Sequence, residues 1–343
     1  MTNKIIPIFI PHIGCPHDCS FCNQKRIAGE ITDVTGSDVS ELIRHYLNSM
    51  LASDSKREVA FFGGSFTGLS MEKQKDLLTP ALKAKEKGLI QDIRISTRPD
   101  YISAEVLELI ESYGASIIEL GVQSTDPSVL RLNQRGHSLE DVYKAVELIR
   151  SHKFKLGLQM MVGLLGDTEA TVLKTTKDLI ALGPDFVRVY PTIVIKDTYL
   201  ERLYLEGRYE PFTLEKAVNI CVDILNLFKE ANIPIIRMGL QSTEEITVGK
   251  SIVAGPYHPA FRELVEAENY KRIIDAELQT KRITAGHGLQ ITCNPRECSR
   301  IAGIKQSNKL FFMEKYKLAR INIKPCEIIE RGNVLVEVVS KNV

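Results

Sequence analysis

The chain has no tryptophan, only 7 cysteines in 343 residues, and no excess of either charge, with 44 Lys and Arg against 43 Asp and Glu. Each shortage excludes a class. Seven cysteines, an odd number, are too dilute for a disulfide scaffold at this length. Balanced charge with 44% apolar residues excludes intrinsic disorder. No apolar run reaches the roughly 18 residues that a membrane span needs. The N-terminal segment IIPIFIPHIG carries Pro7 and Pro11 and has no basic leader, so it reads as a strand and not as a signal peptide. A soluble, cytoplasmic protein with reduced thiols is the expectation.

What is present is a rhythm. Apolar, β-branched runs at Ile5–Ile10, Glu58–Phe62, Asp92–Ser96, Ile117–Val122, Leu156–Val162 and Phe186–Tyr190, with Ile235–Leu240 as a possible seventh, predict strands. Between them, helical periodicity marks Val39–Leu51, Lys73–Lys85, Ala104–Ser112, Leu139–Ser151 and Thr171–Leu182. Ser37 or Asp38, Ser70 and Ser103 stand where N-caps belong. Regular β-then-α alternation predicts an α/β fold with parallel strands and helical crossovers, either an open sheet or an incomplete barrel. In both, chemistry belongs at the C-terminal ends of the strands.

After about Gln241 the pattern changes. A loop, Gly255-Pro256-Tyr257-His258-Pro259, opens a charged helix over Ala260–Gln279. Then come a strand (Leu289–Cys293), two helices (Arg296–Ala302, Asn308–Tyr316) and two strands (Ala319–Ile323, Val334–Val339). The expected division is 1–245, a connecting loop and helix over 246–281, and a small α/β domain over 282–343. That last stretch holds 11 basic and 5 acidic residues, so the near-neutral total hides an acidic body and a basic tail.

The sharpest signal is Cys15-Pro-His-Asp-Cys19-Ser-Phe-Cys22 after the first strand. At this cysteine frequency the spacing arises by chance on the order of 0.003 times per chain, so chance does not explain it. Three thiolates in eight residues can wrap one centre, and soft sulfur selects zinc or iron–sulfur. Zinc would need a fourth ligand, for which His12 or His17 is at hand. A 4Fe–4S cluster would keep one iron open for an exogenous ligand.

Cys-x3-Cys-x-aromatic-Cys, with Phe21 in the aromatic place, resembles the signature of the radical S-adenosylmethionine (SAM) superfamily. The resemblance implies a partial (β/α)6 barrel. It also implies a 4Fe–4S cluster on Cys15, Cys19 and Cys22 that chelates SAM and reductively cleaves it to a 5′-deoxyadenosyl radical. In the superfamily the strand end matched by Gly63 and Gly64 contacts the SAM amino group, with Ser65 and Thr67 beside it. The families most like this chain place a glutamate for the ribose where Ser96 stands, and here only a hydroxyl is offered. Similar positions in oxygen-independent coproporphyrinogen oxidase and the catalytic subunit of Elongator assign SAM contacts to Gln123 and Arg135. Gln159 occupies an inward position polar in those relatives; for it and for Glu119 a satisfied core hydrogen bond is the competing expectation.

The segments Thr97-Arg98-Pro99-Asp100, Arg135-Gly136-His137, Val187 to Leu200 and Gly239 to Thr243 look like the Elongator catalytic-subunit group. At a strand end, Arg188 and Tyr190 stand where substrate can be reached, with packing the competing and commoner expectation for Tyr190. One departure matters: about 100 residues follow Thr243, short for an acetyltransferase-like domain, and no pyrophosphate loop is found. The tail's order of elements is similar to the KH core, although Gly303-Ile-Lys305-Gln306 lacks the second glycine of the backbone-clamping loop. Lys305, Lys309 and Arg300 are its candidates for RNA phosphate, against a merely solvated basic surface. The expectation is a radical SAM enzyme acting on RNA, with tRNA the favoured substrate, and with an external electron donor. The alternatives are radical chemistry on a porphyrin-like small molecule and a zinc- or cluster-stabilised RNA binder without catalysis. Cys293 and Cys298, with Cys221 and Cys326, are either an auxiliary cluster or buried small hydrophobes, the latter being commoner.

Overall fold

The computed structural model describes residues 4–10, 19–23, 33–49, 55–240 and 250–340. Cys15, His12, His17 and the Gln241-Ser242-Thr243 segment lie outside the described residues.

Two compact units emerge, one of residues 1–213 with 226–257 and one of 214–225 with 258–343. In the first, strands β1 (Lys4–Ile10), β2 (Arg57–Gly63), β3 (Asp92–Thr97), β4 (Ile117–Gln123), β5 (Lys155–Val162) and β6 (Phe186–Pro191) run in sequence order. After the short β7 (Val194–Ile195), β8 (Ile235–Met238) adds the seventh strand at the edge. Every pairing in this sheet is parallel. The sheet curls into a partial barrel, the α/β fold that the alternation predicts. Helices α1 (Gly36–Ser49), α2 (Met71–Glu86), α3 (Ala104–Ser112), α4 (Pro127–Leu132), α5 (Leu139–Ser151) and α6 (Glu169–Ala181) supply the crossovers.

One face of the strands is apolar and buried, while the concave face carries polar and charged side chains. On β4, Ile118, Leu120 and Val122 are fully buried, while Glu119, Gly121 and Gln123 share the other face. Ser70 and Ser103 cap their helices as expected, each accepting the amide three residues on at 3.3 Å. For α1 the cap is neither Ser37 nor Asp38. Thr35 takes that place: its hydroxyl accepts the Asp38 amide, and the Asp38 carboxylate accepts the Thr35 amide at 2.8 Å. The helix begins one turn earlier because this reciprocal pair satisfies two amides that Ser37 alone would leave open.

Beyond β6 the elements are α7 (Tyr199–Leu205), α8 (Leu214–Glu230) and β9 (Ile252–Ala254), which pairs antiparallel with β7. The stretch 246–281 is shared between the units, since its helix α9 (Phe261–Gln279) falls in the second. Tyr270, Ile274 and Leu278 of α9 join Leu289, Ile291, Phe312 and Val336 in one core. Arg272 ties α9 to α8 by bonds to Asp223 (2.8 Å) and the Asn219 side chain (2.9 Å). The unit continues with β10 (Gly288–Cys293), α10 (Cys298–Ala302), α11 (Ser307–Tyr316), β11 (Arg320–Pro325) and β12 (Val334–Val339). Its sheet has the order β11-β10-β12, with β10 parallel to β11 and antiparallel to β12. Among the described residues no helix is long and apolar enough to cross a membrane.

Candidate active site at the strand ends

The described part of the cysteine segment is held from three directions. The Ser20 amide donates to the Asn133 carbonyl (3.1 Å) and its hydroxyl to the Asn133 side chain (2.7 Å). The Leu200 amide at the start of α7 donates to the Ser20 carbonyl (2.7 Å), and the Asn23 side chain to the Lys196 carbonyl (2.9 Å). Phe21 packs against the cluster of Val194, Leu200, Leu203 and Tyr209. The aromatic between the cysteines therefore anchors the segment to β7 and α7.

Two guanidinium groups face the buried Cys19 sulfur. Arg135 Nη1 lies 3.4 Å from it and Arg98 Nη1 3.9 Å. Arg135 also donates to the Gly121 carbonyl (2.6 Å), and Arg98 to the Arg135 carbonyl and, in a fork, to Asp100 (2.9 and 3.0 Å). These fixed cations offset the negative charge that thiolate ligands carry.

The ends of β2 and β3 interlock beside this group. Gly63 has φ +99°, and a Cβ there would stand 2.6 Å from the Ile10 carbonyl, so only glycine brings the chain this close to β1. The Gly64 amide donates to that same carbonyl (3.0 Å). Thr67 and Thr97 share a hydroxyl contact of 2.5 Å, and Ser65 accepts the Arg98 amide (3.2 Å). The Ser65 and Thr67 side chains thus bond within the frame. Gln123, at φ +70° beside a bulge in β4, accepts from Gln159 at 3.3 Å.

Deeper on the concave face lies a charge network. Arg94 on β3 pairs with Glu58 (2.8 Å) and with Glu119, which also receives Arg188 Nε (3.0 Å). Ser96 donates to the other Glu119 oxygen at 3.3 Å, so the position expected to carry a carboxylate sits directly across from one. Arg188 reaches Glu119 from two strands away because Gly157 stands between them. A Cβ at Gly157 would meet the Phe186 ring at 2.3 Å and the Glu119 side chain at 3.0 Å. Arg188 Nη1 further donates to the Tyr190 hydroxyl (3.2 Å). Two Arg and two Glu balance, which is how four charges tolerate so little water.

From the sequence, Arg98 and His137 stood only within resembling segments, and no role was assigned to them or to Asn133, Arg94 and Glu58. Their common mark is a polar residue buried in or beside a strand end, visible only once burial is known. His137 lines a cavity of about 760 Å³ together with Leu130, Arg131 and Gln134. Among the described residues neither of its ring nitrogens has a hydrogen-bond partner. Burial first, then the nearby Arg135 and Arg98 cations, push its pKa down to about 3. A depressed histidine leaves the unfolded chain to take up the proton first, so stability falls as pH drops from about 6.5 towards 3. In the apoprotein the loss at pH 5 relative to pH 8 is expected to be about 2 kcal/mol greater than in His137→Phe. Denaturant unfolding at the two pH values checks this, and equal losses would refute it.

Among the described residues no group of three His, Cys, Asp or Glu gathers as a metal site. The donor set needs Cys15 beside Cys19 and Cys22. Thiolate donors with fixed cations behind one of them fit an anionic iron–sulfur centre.

The family model of the Radical SAM superfamily matches residues 9–179, and that of the Radical SAM C-terminal domain matches 184–272. A tRNA uridine(34) acetyltransferase of Methanocaldococcus infernus is 30% identical over 48% of this chain and 35% of its own length. Elongator complex protein 3 of Homo sapiens is 34% identical over 43% of this chain and 28% of its own length. The chain thus spans about a third of these relatives. The solved structure of Methanocaldococcus infernus Elp3 has the same fold, with a TM-score of 0.62 and 23% identity over 80% of this chain and 63% of that one. The matching models, the cysteine motif and the curled parallel sheet make this chain a member of the radical SAM superfamily, an enzyme working with a 4Fe–4S cluster and S-adenosylmethionine.

Proposed function

We propose that this radical SAM enzyme modifies RNA, and tRNA in particular, in the cytoplasm. The observation that carries the reading is the match of the barrel to proteins named for tRNA uridine(34). The 11 basic residues between Arg282 and Val343 support it, since phosphate contact dominates RNA affinity. Of the phosphate candidates, Lys305 is exposed and Lys309 half-buried, while Arg300 is paired with Glu266 at 2.6 Å.

In this reading Cys15, Cys19 and Cys22 hold the cluster. Phe21, Gly63, Gly64, Ser65, Thr67, Ser96, Gln123, Arg135 and Gln159 shape the place for SAM, some by contact and some by holding the frame. When bound, the reduced cluster supplies the electron for cleavage of SAM; an external donor provides that electron. The chain's own part is to position and to exclude water. Arg188 fixes the Tyr190 hydroxyl by donating to its oxygen, which leaves the phenolic proton free to be given to a substrate on the concave face.

Bulk tRNA should bind the protein at low salt. With about four phosphate contacts the affinity falls on the order of 100-fold between 50 and 200 mM salt. Formation of 5′-deoxyadenosine on reduction should rise when tRNA is added. No binding at 50 mM salt, with unchanged 5′-deoxyadenosine, would point to a small-molecule substrate instead.

A further inference from the structure

The second unit carries two thiols in contact. Cys293 ends β10 and Cys298 begins α10, and their sulfur atoms lie 3.4 Å apart. The turn between them is held on all sides, so the contact is imposed by the backbone. The Asn294 side chain accepts the Arg296 amide (3.2 Å) and donates to the Ile329 carbonyl (3.0 Å). The Cys293 carbonyl accepts the Cys326 amide (2.8 Å), and the Glu297 carboxylate accepts the Gly332 amide (3.0 Å). Cys298 is partly exposed, whereas Cys293 has no exposed surface. No third donor joins them in a metal site among the described residues, so the pair stands as a dithiol.

We propose that Cys293 and Cys298 are a modification site, a reversible dithiol–disulfide couple that reacts with small disulfides of the glutathione class. The sulfurs need only close from contact to a bond of about 2.05 Å, which side-chain torsions allow. Cys298, the accessible thiol, gives up its proton and attacks one sulfur of the external disulfide, releasing one small thiolate. Cys293 then gives up its proton and attacks Cys298 Sγ, breaking the mixed disulfide and releasing the second. The two protons leave with the two small thiols; the cysteine pair is oxidised and one external disulfide is reduced. Burial, with the neighbouring thiol beside it, pushes Cys293 up to about 12, which leaves the first attack to Cys298. The new bond would tie the end of β10 to the start of α10, across the turn that holds the β11–β12 connection.

The couple is tested on the full chain with oxidised glutathione, followed by alkylation, trypsin and mass spectrometry. Cleavage after Arg282, Arg296 and Arg300 puts Cys293 in peptide 283–296 and Cys298 in 297–300, each with a single cysteine. The wild type is expected to yield the two peptides joined, two hydrogens lighter than their sum, and separated again by dithiothreitol. Cys293→Ser should stop with glutathione retained on 297–300, persisting at least about tenfold longer than in the wild type. Cys298→Ser should carry no glutathione on 283–296. Both peptides recovered alkylated from oxidised wild type, or glutathione left on Cys298 there, would overturn the couple. The wild-type map decides this even if a variant fails to fold, and it reads these peptides separately from the cluster cysteines.

Discussion

Cys19→Ala protein, reconstituted anaerobically with iron and sulfide, should lack the visible absorbance that bleaches on dithionite and should form no 5′-deoxyadenosine. Removing Cys19 leaves two thiolates in the motif, too few to hold a 4Fe–4S cluster against solvent. The variant also leaves Arg135 and Arg98 facing a methyl group instead of a sulfur. Cys22→Ala should behave alike, and circular dichroism separates loss of the cluster from loss of the fold. A wild-type spectrum in the Cys19 variant would refute the ligand assignment. A colourless wild type with one tight zinc would return the motif to the other metal its sulfurs suit.

Arg94→Ala should cost 3 to 5 kcal/mol of stability, about the largest effect of any single change outside the apolar core. Arg94 is 5% exposed and neutralises Glu58 and Glu119, which are 1% and 4% exposed. Its removal leaves both carboxylates buried, with Arg188 as the remaining described cation at Glu119 beside the Ser96 hydroxyl. Urea unfolding of the apoprotein measures the loss. Replacing Glu58, Arg94, Glu119 and Arg188 together by apolar residues of similar volume should cost less than Arg94→Ala alone, because no charge is then stranded. A loss under 1 kcal/mol in the single variant would mean that water reaches these carboxylates.

The layout of the barrel was legible because short β-branched runs alternate with helical periods along the chain, and no tertiary contact is needed to see that. Ala104–Ser112 and Leu139–Ser151 are helices to the residue. The short α4, α7 and the β7–β9 ribbon were not anticipated, being too brief for a period to register. The cap at Thr35 was missed by a few residues because the competing serine and aspartate satisfy the same pattern.

The site divides in the same way. The spacing of Cys15, Cys19 and Cys22 names soft-metal chemistry by itself, since three thiols in one short segment meet whatever the fold. The sequence alone also determined the acidic body, the basic tail and the β/α order. The pairing of Glu119 with Arg94, 25 residues before it, and with Arg188, 69 after it, was decided by the curl of the sheet and by the missing side chain at Gly157. Tertiary structure alone placed Arg98 and Arg135 at the Cys19 sulfur and bonded Ser65 and Thr67 to the end of β3. It also set Ser96 opposite a carboxylate and brought Cys293 against Cys298. A periodic pattern reports which face a residue takes; only burial forces a polar group to find its partner, and that partner can come from anywhere in the chain.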